Sequence, residues 1–171
     1  MGEVLQIRSA NEDIQKILYN LFYDVLNVEF NLWMWVRQMC KYGDFFLKME
    51  IAEKFALAKT APKRSILYMA FGAEEMGLLG SKFFTSNPLI KKKNIKQMFN
   101  LDMVGRLNRE KPSLTVGGTG TAEGIEGLLE SLGTDRGFSL SMTPDGYGPS
   151  DHASFYVEDI PVLFFFTGIT E

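Results

Sequence analysis

The chain has 171 residues, 46% of them hydrophobic and 23% charged, with a formal net charge of -3. This is close to the average soluble globular domain, and the mixed-sign charge leaves no basic footprint for nucleic acid. A single cysteine, Cys40, excludes an internal disulfide and any zinc site built from cysteines.

The amino terminus, MGEVLQIRSANED, lacks a basic segment followed by an apolar core, so it does not read as a secretory signal and the compartment stays unassigned. Ser9 and Glu12 have the spacing of a capping box, in which hydroxyl and carboxylate satisfy the free amides of a helix start. Ile14, Ile17, Leu18, Leu21, Phe22, Val25 and Leu26 then recur at three-and-four spacing, which gathers them on one helical face. Such a stripe is ordinary core, or a docking face for a partner. Lys16, Asp24 and Glu29 interrupt the segment from Ile14 to Val36, whereas a membrane span needs about 20 mostly apolar residues. From Phe30 to Met39 the apolar groups lose clean periodicity, and this stretch receives no assignment. The character changes near Gly43, so residues 1–48 are set apart as a helical leader and residues 49–171 as the core.

Leu47, Ile51, Phe55 and Ala58 mark an amphipathic helix that Pro62 ends. Ser65 to Phe71 is a continuous apolar run of strand length, as expected of a strand buried on both faces of a largely parallel sheet. Further strands are expected at Gln97 to Met103, Leu114 to Val116, Phe138 to Met142 and Pro161 to Phe166. Helices fit at Met76 to Thr85, Ala122 to Leu132 and Ser150 to Tyr156. The alternation implies a three-layer αβα domain on a mixed, largely parallel sheet. Lys91, Lys92 and Lys93 read as a solvated loop.

Ligands of open α/β sheets sit beyond the carboxyl ends of the strands. Glu74 and Glu75 follow one strand across Gly72 and Ala73, and Asp102 closes another. A carboxylate within apolar sequence costs several kcal/mol unless paired or bound to a cation, about what a buried charge demands. Two readings stay open for each. The glutamates serve either a cation or the first turn of the next helix, and Asp102 either a cation or a buried hydrogen-bond network. The Gly/Pro loop from Asp145 to His152 delivers Ser150 as a helix N-cap. Ser150, Asp151 and His152 have the residue types of a hydrolytic triad, but sequence neighbours cannot align nucleophile, base and acid. Gly117 to Gly124 has glycines at 118 and 120 but the third at 124, one position late for a dinucleotide loop, and reads as a tight strand-to-helix turn.

These residues, in order and spacing, carry a resemblance. The segments Met49 to Phe55, Arg64 to Gly80 (RSILYMAFGAEEMGLLG), Asn100 to Arg106 (NLDMVGR), Gly117 to Thr121 and Gly146 to Gly168 resemble the two-zinc aminopeptidases of the bacterial leucyl aminopeptidase type. The resemblance implies a zinc-exopeptidase fold, a peptide substrate and two zinc ions. It implies Glu74 as the general base, Glu75 and Asp102 as ligands of different zincs, and Gly148, Ser150 and Asp151 in a substrate-pocket loop. The family's His-x-Asp segment, its Asp-Asp-Asn segment and its late histidine have no counterpart, so each zinc would keep one protein ligand against the usual three or four. The expectation is an incomplete copy with weak or absent zinc.

Overall fold

The computed structural model describes residues 32–37, 42–104, 113–135 and 139–168. In chain order these form β1 (Leu32–Arg37), α1 (Tyr42–Ala56), β2 (Ser65–Tyr68), α2 (Leu79–Ser86), a 3-10 turn (Lys92–Asn94), β3 (Gln97–Leu101), β4 (Ser113–Gly117), α3 (Ile125–Asp135), β5 (Ser139–Thr143), α4 (His152–Tyr156) and β6 (Val162–Phe166). The stripe from Ile14 to Leu26 lies outside the described residues. Among those described, no helix is long and apolar enough to cross a membrane.

The six strands make one sheet in the order β2-β1-β3-β6-β4-β5. Pairing is parallel for β1 with β2 and β3, for β3 with β6 and for β4 with β5, and antiparallel only between β4 and β6. The carboxyl ends of β1, β2, β3 and β6 therefore share one edge, and those of β4 and β5 face the other. The stretch left unassigned in the sequence supplies β1, which lies between β2 and β3 in register from Trp33↔Ile66 and Trp33↔Gln97.

Alternation along the strands sorts the core into two layers. Phe99 and Leu101 of β3 and Leu163 and Phe165 of β6 join Leu47, Ile51 and Phe55 of α1 and Leu129 of α3 on one face. Met98 of β3 and Val162 of β6 join Phe71, Phe84 of α2 and Phe155 of α4 on the other. Two apolar clusters on opposite faces of one sheet are the three-layer αβα arrangement. The strand expected through Phe71 is shorter and half-exposed: β2 ends at Tyr68 and has a strand on one side only. Phe71, beyond the end of β2 in a single bridge, packs its ring 5.9 Å from Phe84 and 6.0 Å from Phe155.

A hydroxyl pair stitches α2 to α4. Ser81 Oγ donates to the Leu78 carbonyl at 3.2 Å and lies 2.9 Å from Ser154 Oγ, which then donates to it. Ser154→Ala removes one buried hydrogen bond and should lower unfolding stability by about 1 kcal/mol in a urea titration. No measurable change would mean that the pair is not formed.

The glycine-rich turn after β4 has the simple role read from its spacing. Gly118 has φ 81, and an added Cβ would sit 2.3 Å from the Val162 carbonyl, so only glycine fits without a shift. The amides of Gly118, Thr119, Gly120 and Thr121 donate to the carbonyls of Asp145, Thr143, Pro144 and Gly118. With those donors consumed, the turn has no amide cradle for a phosphate. Because β4 is antiparallel to β6, the turn also lies at the sheet edge opposite Glu74 and Asp102.

Candidate active site

Glu74 and Glu75 lie in the turn between β2 and α2, not in the helix. α2 starts at Leu79, three residues later than the periodicity suggested, and its first turn holds no acidic residue, so the dipole reading of the glutamates fails. Ala73 at φ 57 and Leu78 at φ 61 turn the chain through the left-handed region. The Glu74 carbonyl accepts from the Gly77 and Leu78 amides at 3.0 and 2.8 Å, and the Gly72 carbonyl accepts from Gly80 at 3.1 Å. An added Cβ on Gly80 would meet that carbonyl at 2.7 Å, so the absent side chain lets the turn close on the helix start. Left-handed alanine costs of the order of 1 kcal/mol, and such strain gathers at functional sites.

Asp102 follows β3, its amide donating to the Phe165 carbonyl at 3.1 Å, and Met103 behind it takes φ 52. Both acidic turns thus contain a left-handed residue beside the carboxylates. β1 separates β2 from β3, so the two strand ends stand two interstrand spacings apart, roughly 10 Å.

Electrostatics supports one shared cleft. Glu74 is 8% exposed, and its pKa is pushed from 4.5 up to about 7, first by burial and then by the charges of Glu75, Asp102 and Asp151. Those charges act on Glu74 to that degree only at short range. Burial also raises the Asp102 pKa; a hydrogen bond from Ser150 opposes the rise and the charge of Glu75 adds to it. The structure therefore brings Glu74, Glu75, Asp102 and Asp151 together.

A buried network supports this cluster. Asn100, on the same face of β3 as Met98, is fully buried. Its Nδ2 donates to Ser150 Oγ at 2.7 Å and faces His152 Nδ1 at 3.3 Å. Ser150, 1% exposed, donates its own hydroxyl hydrogen bond to Asp102. Ser150 was expected to cap α4 with its side chain; the cap position is Asp151, without a side-chain capping bond, because the Ser150 hydroxyl is engaged 50 residues away in sequence. His152 is 1% exposed and stacks on Phe164 at 4.4 Å, and burial lowers its pKa from 6.5 to about 4. It is a neutral ring; with Nδ1 accepting from Asn100, its proton sits on Nε2. Gly148 packs against that ring, where an added Cβ would stand 2.5 Å from Nε2. Ser150 and His152 both turn inward to Asn100, which removes the serine-nucleophile reading. The sequence signal that could have flagged Asn100 was a polar residue inside an otherwise apolar strand.

Mutually repelling carboxylates are the chemistry of a cation site. Yet among the described residues no group of three or more His, Cys, Asp or Glu side chains is arranged to hold a metal ion. The histidine is committed to Asn100 and Phe164. These residues alone do not fit a zinc ion.

The sequence pattern of peptidase family M28 matches residues 46–171. The chain belongs to that family. It is 32% identical over 121 residues to leupeptin-inactivating enzyme 1 of Streptomyces exfoliatus, covering 70% of this chain and 26% of that protein. It is 34% identical over 131 residues to aminopeptidase YwaD of Bacillus subtilis, covering 70% and 27%. The fold superposes on BSAP, a zinc aminopeptidase from Bacillus subtilis, with a TM-score of 0.63 and 28% identity, covering 85% of this chain and 38% of that one. Legionella pneumophila LapA aminopeptidase has the same fold, at a TM-score of 0.59 and 24% identity over 80% of this chain and 41% of its own. The chain thus spans about a quarter of the length of the curated relatives.

Proposed function

We propose that the chain carries the carboxylate half of a zinc aminopeptidase site and that, by itself, it does not turn over peptides. Glu74 is the general base, Glu75 and Asp102 are metal ligands, and Asp151, Ser150 and Gly148 shape the loop beside a peptide substrate. The supporting observation is the convergence of Glu74, Glu75, Asp102 and Asp151, with the Glu74 pKa pushed up to about 7. A carboxyl group titrating there can take a proton from an attacking water and return it to the leaving amine near neutral pH. Zinc, where a complete ligand set holds it, polarises the carbonyl and acidifies water. Among the described residues the set is short, which supports silence and equally a non-catalytic relative that only binds peptides.

Hydrolysis of leucine p-nitroanilide with added zinc, run beside Glu74→Gln and elemental analysis, tests the proposal. The expected result is background turnover and well under one zinc per chain. Turnover at ordinary peptidase rates, about 1 per second or more, would overturn the silence but uphold Glu74 if Glu74→Gln abolished it. Equal turnover in Glu74→Gln would remove Glu74 from the role of base.

A further inference from the structure

At the amino-terminal end of β6, the opposite end of that strand from Phe165 and Asp102, a cavity of about 330 Å³ is lined by Tyr147, Tyr156, Val157, Asp159 and Ile160. Its walls are aromatic and its rim is acidic. Tyr147 and Tyr156 meet edge to face at 4.7 Å and 89°. That arrangement is built: an added Cβ on Gly146 would stand 2.5 Å from the Tyr156 ring, and the Tyr147 amide is held by Asp145 Oδ1 at 2.9 Å. Tyr147 is nevertheless 65% exposed, and Val157 beside it 61%. Thr121 also lines the cavity, but its hydroxyl is bonded to the backbone of Val162 and Gly118.

The one charged group of the lining is Asp159, in a left-handed turn at φ 57. Its neighbour Glu158 holds the Lys92 amine, and no described residue pairs with the Asp159 carboxylate. Electron-rich tyrosine faces beside a free carboxylate complement a flat cation on an apolar stem. A guanidinium suits this better than an ammonium, since it stacks on an aromatic face while its fork of N–H groups reaches a carboxylate. The volume is at the small end for ligand pockets, enough for one long side chain.

We propose that this pocket binds an arginine side chain presented by a polypeptide partner, with the guanidinium between the tyrosines and Asp159. The site is separate from the carboxylate cleft, and its existence does not depend on the peptidase reading.

The test is a titration of the full chain with N-acetyl-arginine amide, followed by amide NMR, against the isosteric but uncharged N-acetyl-citrulline amide. Saturable shifts are expected at Tyr147, Tyr156, Val157 and Asp159, with clearly weaker binding of the citrulline probe. Asp159→Asn should weaken binding about threefold to fivefold, as an exposed ion pair would. Tyr147→Leu should weaken it about threefold, as loss of one cation–π contact would. Both residues are exposed, and asparagine tolerates the left-handed conformation, so both variants keep the fold. Equal binding of the citrulline probe, no saturable shift, shifts centred on Glu74 and Asp102, or unchanged affinity in both variants would each overturn the proposal.

Discussion

Asn100→Leu should cost the fold about 3 kcal/mol in urea unfolding at neutral pH, although it keeps the number and branching of side-chain heavy atoms. The asparagine amide is fully buried and serves two partners at once, Ser150 Oγ and His152 Nδ1. Leucine takes both donors away and leaves the imidazole nitrogen buried without a hydrogen bond. It also frees the serine that holds Asp102 below the pKa that burial alone would give it. A loss below about 0.5 kcal/mol, the range of an ordinary surface substitution, would show that this network does not hold the acidic turn.

The pH dependence of stability should be nearly flat through the mildly acidic range in the parent chain, with opposite slopes uncovered by two substitutions. His152 keeps a pKa of about 4 when folded against 6.5 when unfolded. The unfolded chain alone binds that proton between those values, so this contribution is lost as pH falls from 6.5 to 4, by about 3 kcal/mol at 1.36 kcal/mol per unit. Glu74 behaves in the other sense: 4.5 unfolded and about 7 folded, so the folded chain holds the extra proton and stability is lost as pH rises through that window. Asp102, also raised, adds to the second trend. Where the windows overlap the two effects cancel. Glu74→Gln should expose the acid-side loss, and His152→Gln the decline toward neutral pH. Denaturant midpoints measured across pH 4 to 7 check this; level profiles in both variants would contradict the pKa assignments.

Most of the sheet could be read from the sequence because its strands carry their signal locally. Gln97 to Leu101, Leu114 to Val116 and Val162 to Phe166 are short apolar runs bounded by turn residues, and each is a strand. β1 escaped because a central strand of a parallel sheet need not alternate, so Leu32 to Arg37 offers no period to detect. The end of β2 was placed too far along because Phe71 is apolar for a different reason, its packing against Phe84 and Phe155. The positions of Glu74, Glu75 and Asp102 beyond strand ends were visible, since the rule that puts ligands there is topological. What Ser150 and His152 do was not. Their partner Asn100 lies about fifty residues away, and local capping preference lost to that contact.

The place of β1 has a practical consequence. Glu74 and Glu75 hang from β2, Asp102 from β3, and those strands touch only through Leu32–Arg37. A recombinant fragment that began at Met49 would keep every acidic side chain of the cleft but lose the spacer that sets the gap between its two banks. β2, stripped of its ladder, would have no strand partner among the described residues, and the two banks would drift independently.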